Sequence, residues 1–331
     1  MSFALPSLAE LESAAALIRQ HMPPTPQYTW PLLNARAEAE VWVKHENQTP
    51  VGAFKMRGGL VYMDDLMRRH PETRGVVSAT RGNHGQSVGF AARHFGVAAT
   101  IVVPQGNSQG KNRAMRAFGI ELVEHGHDFQ AASEHADDLA ASTGLHRMPS
   151  FHSLLVRGVG TYALEFLRAA PPLDTVYVPI GMGSGICGML AARQALGLPT
   201  RIVGVVSAEA PAYALSFAQR KAVSHAATTI LADGLACRTP DQDALEHILV
   251  GVDRIVSVTE EEVASAMAAF YSDTHNVAEG AAAASLAAAM KERDRIRGKR
   301  IGIILSGANV DADVFAGVLG RESRLTAETY S

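Results

Sequence analysis

The chain has 331 residues, 47% of them hydrophobic, so it can bury a large core and is expected to form two closely linked lobes. Its formal net charge of -3 excludes the basic field that nucleic acids or anionic membranes require. Cys187 and Cys237 are too few for a disulfide framework, and no apolar run is long enough to cross a bilayer. We therefore expect a cytoplasmic protein.

The N-terminal segment predicts an amphipathic helix rather than a secretion signal. Ser7 and Glu10 have the spacing of a capping box, and the helix extends to about Gln20. Beyond a strand near residues 41–44, strands and helices alternate, which favours parallel sheets covered by helices on both faces. The later predicted strands are residues 76–79, 100–103, 121–124, 176–180, 202–206, 254–258 and 301–305. The later predicted helices are residues 56–69, 112–118, 128–142, 162–168, 188–196, 260–271 and 281–292.

Lys55 follows a turn between the first predicted strand and the next helix. The turn is marked by residues 49–52, and Phe54 immediately precedes the lysine. An amine beside an aromatic ring in such a turn is partly desolvated, which lowers its pKa and makes it a nucleophile toward carbonyl groups. A lysine near a helix start is more often a solvated surface group, so this interpretation depends on three further segments.

Each of these segments places polar or glycine-rich backbone at the end of a predicted strand. Residues 78–87 lead into a helix, whose N-terminal amides can hold an anion. Residues 176–188 form a strand, a glycine loop and a helix start, which suits a phosphate because successive N–H groups point inward. Residues 301–309 form a buried parallel strand with Ser306 at its carboxyl end, where ligands of open α/β sheets bind.

Together the four motifs resemble those of the fold-type II pyridoxal-phosphate enzymes, specifically the threonine/serine dehydratase and serine racemase family. The resemblance spans roughly residues 26–311. It implies an α/β fold of two lobes, each with a mostly parallel sheet flanked by helices, as in the tryptophan synthase β-subunit. It also implies a large cofactor-binding lobe (residues 1–48 and 150–331) and a small inserted substrate lobe (residues 49–149). Since only about one short helix remains after Ser306, we expect no C-terminal regulatory domain.

The same resemblance implies roles for individual residues. Lys55 would form a Schiff base with pyridoxal 5'-phosphate and act as the catalytic base. The glycine loop would hold the phosphate, while Asn83 would face the phenolic oxygen and Ser306 the ring nitrogen. The implied cofactor-binding residues are Phe54, Lys55, Asn83, Gly181, Met182, Gly183, Ser184, Gly185 and Ser306. The implied substrate-binding residues are Thr80, Arg81, Gly82, Asn83 and His84.

Arg81 departs from the family pattern. Dehydratases usually carry a small residue at this place, and serine racemase carries a serine that handles protons. A guanidinium stays protonated and cannot act as an ordinary base, which disfavours racemisation. Arg81 would either pair with a second substrate carboxylate, as in 3-hydroxyaspartate, or point into solvent. Some relatives bind a divalent cation through two acids, but Ser207 and Tyr213 stand in their places, so no metal site is predicted.

Two acidic residues have two interpretations each. Glu279 stands where the family has an acid near the cofactor, but an acid at a helix start also stabilises the helix N-terminus. Asp233 belongs to an Asp-Gly dipeptide that matches a family turn, and a structural turn is the simpler interpretation.

The resemblance implies an ammonia-lyase that converts a 3-hydroxy amino acid, such as threonine or serine, to a 2-oxo acid and ammonia. Alternatives are a 3-hydroxyaspartate or phenylserine dehydratase, and then a serine racemase-like isomerase. A third alternative is an NAD-dependent oxidoreductase, because residues 183–188 match a dinucleotide fingerprint and Glu209 lies near the end of the next strand. That alternative gives Lys55, Asn83 and Ser306 no role. The expected partners are an amino-acid substrate and, as in dimeric relatives, a second copy of the chain.

Overall fold

The structure is a computed structural model that describes residues 3–329. Its strands are β1 (Gln27–Thr29), β2 (Glu40–His45), β3 (Gly75–Ala79), β4 (Ala98–Val103), β5 (Glu121–Glu124), β6 (His146–Arg147), β7 (Thr175–Pro179), β8 (Arg201–Ser207), β9 (Arg254–Val258) and β10 (Arg300–Leu305). Its helices are α1 (Leu8–Ile18), α2 (Pro31–Ala37), α3 (Lys55–Arg69), α4 (Asn83–Phe95), α5 (Gln109–Ala117), α6 (Phe129–Thr143), α7 (Ser153–Ala169), α8 (Ser184–Ala195), α9 (Ala212–Gln219), α10 (Gln242–Gly251), α11 (Glu260–Thr274), α12 (Gly280–Lys291), α13 (Arg293–Ile296) and α14 (Ala312–Thr329).

The strands form two mostly parallel sheets within the described residues. The larger has the order β1-β2-β10-β7-β8-β9, and only its edge pair β1–β2 is antiparallel. The smaller has the order β5-β4-β3-β6 and is parallel throughout. Apolar runs fill the central strands because helices cover both faces. The predicted α/β class is thereby confirmed. None of the described helices is both long and apolar enough to cross a membrane.

Two helices begin earlier than their glycines led us to predict. Helix α7 starts at Ser153 rather than near residue 162, and α8 starts at Ser184 rather than near residue 188. The glycines inside them allow close helix packing: a Cβ on Gly188 would lie 2.8 Å from the backbone nitrogen of Gly160. A Cβ on Gly158 would lie 2.3 Å from the carbonyl oxygen at the start of α3. Helices α3, α7 and α8 therefore cross almost backbone to backbone.

Other elements were missed or misjudged. The short strands β1 and β6 and the helices α2, α9 and α10 were not predicted, and α14 is 18 residues long rather than a short helix. The predicted capping box is confirmed, since the Ser7 hydroxyl accepts from the Glu10 amide and the Glu10 carboxylate accepts from the Ser7 amide.

A fully paired group of buried charges fixes the first turn of α3; we call it the anchor cluster (Lys44, Glu46, Arg57 and Glu165). The guanidinium of Arg57 donates to both carboxylates, with Nε 2.8 Å from Glu46 and Nη1 2.8 Å from Glu165. Lys44 Nζ donates to Glu165 at 2.8 Å. Because removal of one partner would leave an uncompensated buried charge, the cluster locks α3 onto β2 and α7.

Candidate active site

Lys55 begins α3, and the chain just before it is fastened to the end of β10. The backbone N–H of Phe54 donates to the carbonyl of Ser306 at 3.1 Å. Lys55 Nζ donates to the hydroxyl of Ser184 at 3.1 Å and lies 4.7 Å from the centroid of the Phe54 ring. Burial lowers the pKa of Lys55 to about 8, although the negative charge of Glu279 opposes the shift. The amine is therefore far more nucleophilic near neutral pH than that of a solvated lysine.

The predicted glycine loop joins β7 to α8 and faces the same space. Gly183 is the N-cap of α8 and has a φ of 101°, a conformation that favours glycine. A Cβ on Gly181 would lie 2.4 Å from the carbonyl oxygen of Gly234. The loop therefore presents bare backbone at the N-terminus of a 12-residue helix, where N–H groups bind anions.

The second predicted loop joins β3 to α4. The hydroxyl of Thr80 accepts from the backbone N–H of Gly82 at 3.0 Å, and Asn83 is the first residue of α4. His84 is buried, and burial, followed by the nearby charge of Lys55, lowers its pKa to about 3. Its imidazole is thus neutral, and its Nε2 is buried without a hydrogen-bond partner. The loop offers helix-terminal amides and an unused imidazole nitrogen to a ligand.

Glu279 and Asn309 both bind the side chain of Asn83, the first residue of α4. The amide nitrogen of Asn83 donates to Glu279 Oε1 at 2.6 Å, and its amide oxygen accepts from Asn309 at 2.9 Å. Glu279 is also the N-cap residue of α12, but its side chain makes no capping hydrogen bond and instead accepts from Asn83. Burial raises the pKa of Glu279 to about 7, and Lys111 is the largest opposing influence. Its Oε2 is buried and lacks a partner.

One cavity collects all of the predicted site residues except Ser184. It holds about 910 Å³ of empty space, its open mouth included. Ser184 is buried and touches Lys55 instead. The predicted residues that line the cavity are Phe54, Lys55, Thr80, Arg81, Gly82, Asn83, His84, Gly181, Met182, Gly183, Gly185 and Ser306.

Sequence reasoning missed part of the lining. Lys111 of α5 pairs with Asp233 at 2.5 Å across the cavity, and Phe129, Ser150 and Ala236 also line it. The signal for Asp233 was present in the Asp-Gly dipeptide, which we had taken as a simple turn. Lys111 had no such signal, because one lysine in a basic helix resembles a solvated face. Glu209 of the dinucleotide interpretation is not part of the lining.

The cavity fits pyridoxal 5'-phosphate group by group. A nucleophilic amine is available for its aldehyde, helix-terminal N–H groups for its phosphate, and Ser306 for its ring nitrogen. The amide of Asn83 has two N–H donors and uses one on Glu279, which leaves one for the phenolic oxygen. The buried unpartnered atoms of His84 and Glu279 mark positions where a ligand is needed to complete the hydrogen bonding.

Comparison with known proteins agrees with this fit. The family model described as pyridoxal-phosphate dependent enzyme matches residues 18–307. L-threonine ammonia-lyase of Thermotoga maritima is 32% identical over 283 residues, which cover 85% of this chain and 70% of that protein. The catabolic L-threonine dehydratase TdcB of Staphylococcus aureus is 30% identical over 95% of this chain and 92% of its own length.

Solved structures of racemases are similar to this chain as well. A pyridoxal 5'-phosphate-dependent aspartate racemase superposes with a TM-score of 0.87 at 27% identity, covering 95% of this chain and 98% of its own. Maize serine racemase superposes with a TM-score of 0.88 at 25% identity, covering 98% and 100%. Similarity therefore extends to enzymes of two reaction types.

Proposed function

Because the chain belongs to the pyridoxal-phosphate-dependent enzymes, in the branch of the threonine dehydratases and racemases, we propose that it eliminates water from a 3-hydroxy amino acid. The products are a 2-oxo acid and ammonia. The observation that carries this choice is Arg81 in the cavity lining. Racemisation requires a second group that exchanges a proton with the substrate, and a guanidinium does not do so. Neutral His84, whose pKa is about 3, does not donate a proton near neutral pH either.

The cofactor, when bound, supplies an electron sink for the negative charge that develops at the substrate Cα. The buried amine of Lys55 removes the Cα proton, and its lowered pKa provides a useful neutral fraction at physiological pH. The hydroxyl of Ser184 holds this amine in place at 3.1 Å. The amides at the start of α4, with Thr80, bind the α-carboxylate of the substrate.

Ser306 selects among the reactions open to this chemistry. A neutral hydroxyl leaves the ring nitrogen mostly unprotonated, whereas a carboxylate would keep a proton on it. With the cofactor bound, a weaker electron sink would favour β-elimination over transamination. Ser306 is buried directly after the end of β10.

The division into lobes is part of the same proposal. Residues 49–149 would carry the substrate loop and the remainder would carry the cofactor, so catalysis would take place where the two meet. The two sheets support the division, because β3, β4, β5 and β6 pair only with one another. The contacts of Asn83 with Glu279 at 2.6 Å and of Lys111 with Asp233 at 2.5 Å join the two parts at the cavity.

A substrate panel tests the proposed reaction. The purified holoenzyme is given the stereoisomers of threonine, serine, 3-hydroxyaspartate and 3-phenylserine. Oxo acid and ammonia are measured together with the enantiomer of each substrate. We expect equal amounts of oxo acid and ammonia from at least one substrate. Enantiomer formation faster than oxo-acid formation on every active substrate would make the protein a racemase instead.

A further inference from the structure

We propose that the substrate carries a second carboxylate on its side chain, that Arg81 binds it, and that the preferred substrate is therefore a dicarboxylic 3-hydroxy amino acid. The inference rests on the proposed elimination for the reaction itself. It adds the substrate class, which neither the motifs nor the related enzymes specify.

The guanidinium of Arg81 lines the cavity and has no ion-pair partner among the described side chains. It lines the cavity beside Gly82, is only partly exposed, and its Nε is buried with no hydrogen bond. No carboxylate of residues 3–321, the part of the chain whose side chains are described, forms an ion pair with it. Arg57 shows the contrast, because its buried guanidinium donates to two carboxylates. A buried donor left unsatisfied is destabilising, so Arg81 Nε is suited to a ligand acceptor.

The other charges of the cavity are already balanced. Lys111 pairs with Asp233, and although burial opposes its charge, Asp233 and Glu279 hold the pKa of Lys111 above its usual value. Lys55 has the negative charge of Glu279 nearby. Arg81 is thus the cavity cation left without a counter-charge among the described residues.

The anions of an ordinary substrate and of the cofactor also have their own sites. The N-terminus of α8 accepts the phosphate and the N-terminus of α4 accepts the α-carboxylate in the proposed function. A monocarboxylic substrate therefore leaves Arg81 unused. A side-chain carboxylate matches it, because the planar guanidinium binds carboxylates through two parallel hydrogen bonds.

Measurements on the unmodified holoenzyme give the first test. We expect kcat/KM for 3-hydroxyaspartate to exceed that for threonine by about thirty-fold or more, the usual value of a buried charge pair. Equal or better turnover of threonine overturns the inference. Failure of every substrate to yield an oxo acid instead overturns the proposed function. In that case, ligand binding tests the second-carboxylate site independently of turnover. Malate, which has two carboxylates, should bind at least about thirty-fold tighter than lactate, as measured by calorimetry.

Variants assign the effect to Arg81. Arg81→Gln should lose at least about thirty-fold more on 3-hydroxyaspartate than on threonine, and its malate binding should fall by the same factor relative to its lactate binding. Arg81→Lys keeps the positive charge but not the paired donors. Its preference for the two-carboxylate compounds should therefore lie between that of Arg81→Gln and that of the unmodified holoenzyme. Arg116→Gln removes a half-exposed cation of α5 and serves as the charge control.

Two outcomes overturn the assignment. Equal losses on the one- and two-carboxylate compounds would mean that Arg81 supports the loop or the α-carboxylate. No loss on either would mean that Arg81 has no ligand. If Arg81→Gln does not fold, the malate-to-lactate ratio of Arg81→Lys against that of the unmodified holoenzyme decides, and an unchanged ratio rejects the inference.

Discussion

The anchor cluster is almost fully buried and the charges of the cavity are buried or half-buried, yet the two groups are built differently. In the anchor cluster, Arg57 and Lys44 donate to carboxylates at 2.8 Å, and each charged group has an opposite charge in contact. Five charged residues line the cavity, and we call them the cavity cluster. Their hydrogen bonding is incomplete. The members of the cavity cluster are Lys55, Arg81, Lys111, Asp233 and Glu279.

This difference indicates that the anchor cluster stabilises the fold, whereas the cavity cluster is suited to bind a ligand. In the anchor cluster, direct contacts between opposite charges fix one geometry, although burial still lowers the pKa of Lys44. In the cavity cluster, burial shifts the pKa of Lys55 to about 8 and that of Glu279 to about 7, so both titrate near neutral pH. Such shifts are characteristic of functional sites. Substitutions in the first cluster should therefore reduce stability, and those in the second should reduce activity.

Replacement of Lys55 by alanine should produce the largest effect. Because Lys55 is both the cofactor attachment point and the base, Lys55→Ala should lower oxo-acid formation by about 10⁴-fold. Its stability should not fall, since the change removes a desolvated amine. Borohydride reduction and peptide mass mapping should place the cofactor adduct on Lys55 in the unmodified enzyme. Lys221→Ala, at an exposed position, is the control, and an adduct on any other lysine contradicts the assignment.

The complementary change is made in the anchor cluster. Arg57→Ala leaves Glu46 and Glu165 buried without their main partner and should lower the free energy of unfolding by about 3–5 kcal/mol. Urea denaturation of the cofactor-free protein measures this loss. Arg68→Ala removes an exposed ion pair from the same helix and should cost less than about 1 kcal/mol. Equal losses for the two variants would show that the anchor cluster adds nothing beyond a surface pair.

The smallest effect concerns pH. Lys55 is reactive when neutral, so cofactor attachment should accelerate as pH rises through about 8 rather than through the ordinary 10.5. The negative charge of Glu279 raises the pKa of Lys55, and its removal should lower that pKa. In Glu279→Gln the rise should therefore move to lower pH by roughly one unit. Stopped-flow absorbance of cofactor binding follows the shift, with Glu261→Gln as an exposed control. Movement toward higher pH contradicts the charge coupling.

The sequence specified the buried parallel strands well because their apolar runs are a local signal. The predicted bounds of β5 and β9 agree with the structure residue for residue. Strand β6 was missed because two residues carry no periodicity and pair only through the tertiary fold. Gly158, Gly160 and Gly188 misled the helix bounds, since a helix-breaking tendency and a close helix crossing look the same in sequence.

The site was predictable where motifs mark it and not where two distant segments meet. Lys55, Asn83 and Ser306 stand in recognisable local patterns, and the structure brings them to one cavity. The pairing of Lys111 with Asp233 depends on how the two sheets dock, which no local pattern encodes. The hydroxyl of Ser184, predicted for the phosphate, contacts Lys55 because α8 starts at that residue.

The position of β10 also determines when the protein can finish folding. Although it is the last of the described strands, β10 lies in the interior of the larger sheet, with Arg300 opposite Glu40 and Ile301 opposite Thr175. During synthesis, the edges of β2 and β7 that pair with β10 therefore stay unpaired until residue 305 has left the ribosome. Such long-range closure is slow and leaves the nascent chain prone to aggregation. Insertion of β10 then delivers Ser306, so the sheet and the cavity are completed in a single late event.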